Sequence, residues 1–147
     1  MKKFKFTLDR IKQYRIQIEE MEKNDLSALR AELSELEEQA EEIKDAIIAK
    51  SEELRRLYRK GAFPNEISVA NRYLTYKKQL LEIKLGEIEE KNIQIEKKLQ
   101  DVIEATQEVK KMEKLEEHQL EEYKQAELKE SENFIEEFFG AKPNAEA

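Results

Sequence analysis

From Leu26 onward the apolar residues of the first half of the chain fall at Leu26, Leu29, Leu33, Leu36, Ala40, Ile43, Ile47, Leu54 and Leu57, in steps of three and four interrupted only at Lys50. Such steps keep one side of an α-helix apolar over many turns and mark a heptad seam. Upstream, Phe4, Ile11, Tyr14, Ile18 and Met21 obey the same rule in a shifted phase. The change of phase across 22–25 reads as a stutter within one helix, because Asn24 and Asp25 are only mildly poor helix formers and no Gly or Pro intervenes. A second run carries a cleaner column: Ile67, Leu74, Leu81, Ile88, Ile95, Val102 and Val109 recur every seven residues. Its companion column is read as Asn71, Lys78, Leu85, Asn92, Leu99 and Thr106, a mixed set whose polar members would fix register at some cost in stability. Beyond Met112 the phase slips toward Leu120, Tyr123, Phe134 and Phe138, and Gly140 and Pro143 end the pattern.

Between the runs, Gly61 can supply a left-handed cap for the first helix, Pro64 cannot continue it, and Asn65 is the candidate N-cap of the second. The pattern therefore predicts an all-α fold, a long antiparallel two-helix coiled-coil hairpin occupying 1–147 as a single unit. Its helices are expected over about 4–60 and 66–139, with a bend at about 61–65 and a frayed tail over 140–147. At 1.5 Å per residue the second arm would overhang the first by roughly 20 Å. Phe134, Ile135, Phe138 and Phe139 fall in that stretch, where a cluster of aromatics marks either an interaction site or local back-folding. Charge favours the antiparallel arrangement independently. Six basic side chains between residues 2 and 15 would lie beside Glu113, Glu116, Glu117, Glu121 and Glu122 of the returning helix, and Phe4 and Leu8 would meet Leu120 and Tyr123.

Composition agrees with long helices: 41% of residues are charged and 39% hydrophobic, with Gly 3, Pro 2, Cys 0 and Trp 0. A formal net charge of −7 argues against a nucleic-acid partner, which requires a basic face. No apolar run approaches the ~20 residues of a membrane span, and the start lacks the apolar block of a signal peptide. The residues of a catalytic site are missing as well. His118 is the single histidine and no cysteine accompanies it, so neither a zinc ligand set nor a Cys/His nucleophile is expected. Gly61, Gly86 and Gly140 are too far apart to cradle a phosphate, and the reading is a non-enzyme with no cofactor. Beside the bend, Tyr58, Arg72, Tyr73 and Tyr76 gather residue types enriched at interface hot spots, and Ile83 extends the strip. Tyr73, next to Leu74, is equally placed to close the end of the seam.

Three segments carry a resemblance: the start "KKFKFTLDRIKQYR", the post-bend "NRYLTY", and "KKMEKLEEHQLEEYKQAEL" near the end. Together they resemble the flagellar FliJ family, the coiled-coil component of the bacterial flagellar type III export apparatus, over nearly the full length. The resemblance implies a cytoplasmic protein working peripherally at the inner face of the cell membrane, in the flagellar basal body. It implies a stalk, similar to the shaft of rotary ATPases, that binds the hexameric export ATPase and promotes its ring assembly. The same stalk would contact the membrane export gate protein and help cycle export chaperones. By position, Arg72, Tyr73 and Tyr76 match the strip expected to face the gate, with Tyr58 and Ile83 beside it. Phe4, Phe6 and Leu8, with Lys114, Leu115, Glu122 and Tyr123, match the distal part that faces the ATPase, and Phe134 and Phe138 extend it. Two other readings share the hairpin: the equivalent stalk of a virulence type III secretion system, and a structural homo-oligomer joined along the Ile67 to Val109 column.

Overall fold

A computed structural model describes residues 2–140 and contains two α-helices, α1 (Asp9–Lys60) and α2 (Pro64–Phe139), with no strand among the described residues. The helices pack against each other as an all-α hairpin. The chain divides into two compact units: unit 1 comprises 1–21 with 103–147, and unit 2 comprises 22–102. Within unit 1, Thr7 is bonded to Gln119 and Lys12 to Glu116; within unit 2, Glu22 meets Lys98 and Glu32 meets Lys91. In each unit the partner's number falls as the first number rises, which is the signature of antiparallel pairing.

Helix α1 begins at Asp9 and not near residue 4. The cause is tertiary contact, which overrides helical propensity here. Phe6 buries its ring to 8% exposure, the Phe4 ring packs on Tyr123 at 5.6 Å, and the Tyr123 hydroxyl donates to the Lys2 carbonyl at 2.5 Å. The Thr7 hydroxyl accepts from the Gln119 amide at 3.1 Å. These anchors hold the non-helical segment against α2, and Asp9 then places a carboxylate in the first helical turn, where the helix dipole favours it.

The bend is a Schellman closure. The Ala62 N–H reaches the Leu57 carbonyl at 3.0 Å and the Gly61 N–H reaches Tyr58 at 3.3 Å, with Gly61 at φ 70°. Helix α2 opens on Pro64, whose missing N–H costs nothing at a first helical position. Phe63, not Asn65, is therefore the capping residue, and its carbonyl accepts from Glu66 at 3.0 Å and Ile67 at 3.3 Å. The expected frayed tail lies, beyond Gly140, outside the described residues.

In unit 2 the buried apolar residues are Leu26, Ala40, Ile43, Ala70 and Leu74; in unit 1 they are Phe6, Ala105 and Val109. The clean column from Ile67 to Val109 is buried or half-buried throughout, so it belongs to the hairpin's own seam. Its companion differs from expectation. Asn71, Lys78, Leu85, Asn92 and Leu99 are exposed, with Thr106 alone half-buried. The seam instead uses the positions three residues after the clean column, Ala70, Lys77, Lys84, Lys91, Lys98, Ala105 and Met112, all buried or half-buried. A period of 3.5 is met equally by steps of three or four. Here two alanines and four lysine stems let the helices close, while the ammonium groups reach the rim.

At that rim Lys91 meets Glu32 at 2.6 Å, and Lys98 meets Glu22 at 2.9 Å, Asp101 at 3.6 Å and Asp25 at 3.7 Å. In unit 1, Lys12 meets Glu116 at 2.5 Å. The hydrogen bond from Lys98 to Glu22 raises the lysine above its ordinary pKa, and the bond from Lys12 to Glu116 does the same there. No described helix is long and apolar enough to cross a membrane.

Candidate functional site, an exposed apolar strip

On α2, Val69, Tyr73, Tyr76, Leu80 and Ile83 follow one another in steps of four, three, four and three. Val69 lies about 100° around the helix from the seam residue Ala70, so this is a second heptad stripe flanking the hairpin seam, close enough for Tyr73 to meet Lys50 of α1. Tyr76 is 60% exposed, Val69 and Ile83 match it, Tyr73 is 38% exposed and Leu80 is half-buried. An apolar row of this length, about 21 Å at 1.5 Å per residue, has the geometry of a coiled-coil seam without its partner helix.

Packing holds Tyr73 in place. The Lys50 ammonium lies 5.0 Å from its ring centroid and that of Lys77 lies 5.6 Å away, so two cations address one π-system. This explains the interruption of the first heptad series at Lys50, which also bonds Glu53 at 3.1 Å. Tyr73 is thus neither a closed core residue nor a free surface ring. Tyr76 stands one turn from Arg72, and both line a shallow groove of about 690 Å³ that also runs past Ile67 and Thr75. The Thr75 hydroxyl is satisfied by the Asn71 carbonyl at 3.0 Å.

The structure brings the expected residues Tyr73, Tyr76 and Ile83 onto one face and sets Arg72 at its edge. Tyr58 is exposed on the last turns of α1. Val69 and Leu80 complete the row and were not among the expected site residues. Their signal was available as the four-three-four-three spacing, which the stronger seam column alongside it obscured.

The distal candidates separate into two groups. Phe6 is buried and Phe4 is engaged with Tyr123, so the aromatic start serves the core of unit 1; Phe6 is removed from the candidate docking residues. Leu8 and Tyr123 are half-buried. Lys114, Leu115 and Glu122 are exposed, and Glu122 lies 3.1 Å from the His118 imidazole. Beyond Tyr123 every described residue is exposed. Helix α2 continues through this stretch without folding back, and Phe134 stacks on Phe138 at 4.8 Å with Phe139 at 6.4 Å from Phe138. The aromatic cluster therefore remains open to a partner. Among the described residues no three His, Cys, Asp or Glu side chains gather to hold a metal ion. The chain matches no family model, no curated protein and no solved structure.

Proposed function

We propose that the chain is a non-enzymatic, stalk-like coiled coil of the bacterial flagellar protein export apparatus, binding a hexameric export ATPase and a membrane export gate protein and helping export chaperones to cycle. The observation that carries this reading is the largely exposed heptad row Val69, Tyr73, Tyr76, Leu80 and Ile83, which flanks the filled seam of a helix already committed to a hairpin. A helix with two seams, one filled and one open, is built to accept another helical surface. The row includes the post-bend segment of the FliJ resemblance, and the open Leu115, Glu122, Phe134 and Phe138 offer a second contact region in the other unit. Ordering the subunits of a ring or linking it to a gate needs stiffness and two docking surfaces, and no catalytic group on the stalk itself.

The reading is tested by binding of the cognate export gate protein to the chain and to the triple variant Arg72→Ala, Tyr73→Ala, Tyr76→Ala. Loss of binding with unchanged helix content is expected. A gate protein that binds the variant as well as the parent, or a variant that loses its helicity, contradicts the assignment of the row to docking. A second reading, a homo-oligomer, is favoured by the same open row. It cannot use the Ile67 to Val109 column, which the hairpin itself occupies, so two copies would join through Val69 to Ile83 and sediment as a dimer that Tyr76→Glu dissociates.

A further inference from the structure

The chain is acidic as a whole, yet between Leu54 and Lys84 eight Arg or Lys side chains stand against two Glu. Lysines elsewhere, such as Lys12, Lys91 and Lys98, are matched to carboxylates. Around the bend the pattern reverses: Arg55, Arg56, Arg59, Lys60 and Arg72 are exposed, and none has an ion-pair partner among the described residues. Arg59 and Lys60 suit the C-terminal end of a helix dipole, but Arg55 and Arg56 lie a turn earlier and extend the charge well past that need.

The apex between them is apolar. Phe63 caps α2, a position where Ser, Asp or Asn is preferred, and its ring makes no aromatic contact among the described residues and is 77% exposed. It contributes neither a capping side chain nor core packing. The Schellman closure at Gly61 and the proline at the first turn of α2 hold it in place between the two helix ends.

We propose that the bend end of unit 2 docks on an anionic lipid bilayer, with Phe63 entering the headgroup–acyl boundary and Arg55, Arg56, Arg59 and Lys60 on the lipid phosphates. The arrangement is that of a two-signal interfacial anchor, one apolar wedge plus a polybasic collar, and the resulting attachment is reversible. Arg55, Arg56, Arg59 and Lys60 fall at i, i+1, i+4 and i+5 of α1, within about 140° of its circumference, and form one basic face that runs up to the apex. Of the five, only Arg72 faces the groove beside Tyr76. A flat anionic surface met end-on engages all four α1 cations together with the apex, whereas an acidic peptide would need a groove to lie in. The inference rests on the apex alone and stands or falls separately from the export reading.

The test is co-sedimentation of the full chain with vesicles of phosphatidylcholine and of an equal mixture with phosphatidylglycerol, alongside Phe63→Trp fluorescence. The chain has 0 Trp, so the emission reports one site. Binding to the anionic vesicles alone is expected, with a blue-shifted emission, and each of Arg55→Gln, Arg56→Gln, Arg59→Gln and Lys60→Gln should lower partitioning by about fivefold. No binding, or equal binding to both vesicles, overturns the proposal. So does sedimentation with unshifted emission together with full displacement by polyglutamate, which would make the collar a site for acidic protein. Because Phe63→Trp changes only an exposed ring, its fluorescence decides the question even where a charge variant misfolds.

Discussion

Gly61 and Gly86 sit in the same chain under opposite demands. Gly61 occupies the left-handed region at φ 70°, where a Cβ is strained, and its N–H closes the first helix. Gly86 is an ordinary helical position with nothing within 4 Å of an added Cβ. Urea unfolding is therefore expected to find Gly61→Ala destabilised by about 1 kcal/mol and Gly86→Ala stabilised by about 1 kcal/mol. Lys12 and Lys98 make a second residue-level case. Both are held above the ordinary value of 10.5 in the folded chain, chiefly by hydrogen bonds to Glu116 and Glu22. A raised folded pKa means the bonds contribute in full below about 10.5 and are lost as pH rises through the higher folded value. Thermal melts should show this contribution constant from neutral pH to about 10.5 and declining above it, and Glu22→Gln should shrink that alkaline decline.

At the scale of elements, most of the hairpin was legible because heptad spacing reports helix, seam and length together. Three features were not. The companion column of α2 was ambiguous, since Leu85 and Leu99 draw the eye to the wrong side of a 3.5-residue period and only packing reveals that Lys77, Lys84, Lys91 and Lys98 flank the seam. The segment before Asp9 reads as helix by period, yet Phe6 and Tyr123 hold it otherwise. Phe63 gave no sign of being the cap of α2, because no propensity scale nominates phenylalanine there. The lysine column has a measurable consequence. Among the described residues Lys84 pairs only with Glu87 on its own helix, so Lys84→Leu gives up one half-exposed ion pair for apolar burial, and circular dichroism should record a higher melting midpoint. The exposed row was half legible. Tyr73, Tyr76 and Ile83 stood out by residue type, while Val69 and Leu80 are commonplace residues whose role depends on the face they share. Tyr76→Ala is expected to weaken partner binding by roughly 2 kcal/mol, about thirtyfold, as measured by calorimetry.

For the whole molecule, the function proposed rests on the resemblance of its start, post-bend and distal segments to FliJ proteins, and the residues themselves show exposed apolar surface without naming a partner. Sequence periodicity encodes what a helix buries, whereas a partner is encoded by what it leaves exposed, and exposure follows from no single spacing rule. Each unit of the hairpin carries its own proposed contact region: the row from Val69 to Ile83 in unit 2, and the exposed residues about Leu115, Glu122, Phe134 and Phe138 in unit 1. With these surfaces we propose that the chain serves as an accessory stalk of an export ATPase. The most direct measurement is the ATP hydrolysis rate and hexamer population of the cognate flagellar export ATPase as the chain is titrated in. Both should rise and saturate, and the rise should be reduced by Phe134→Ala with Phe138→Ala. An ATPase whose rate and assembly are unchanged at saturating chain would contradict the account.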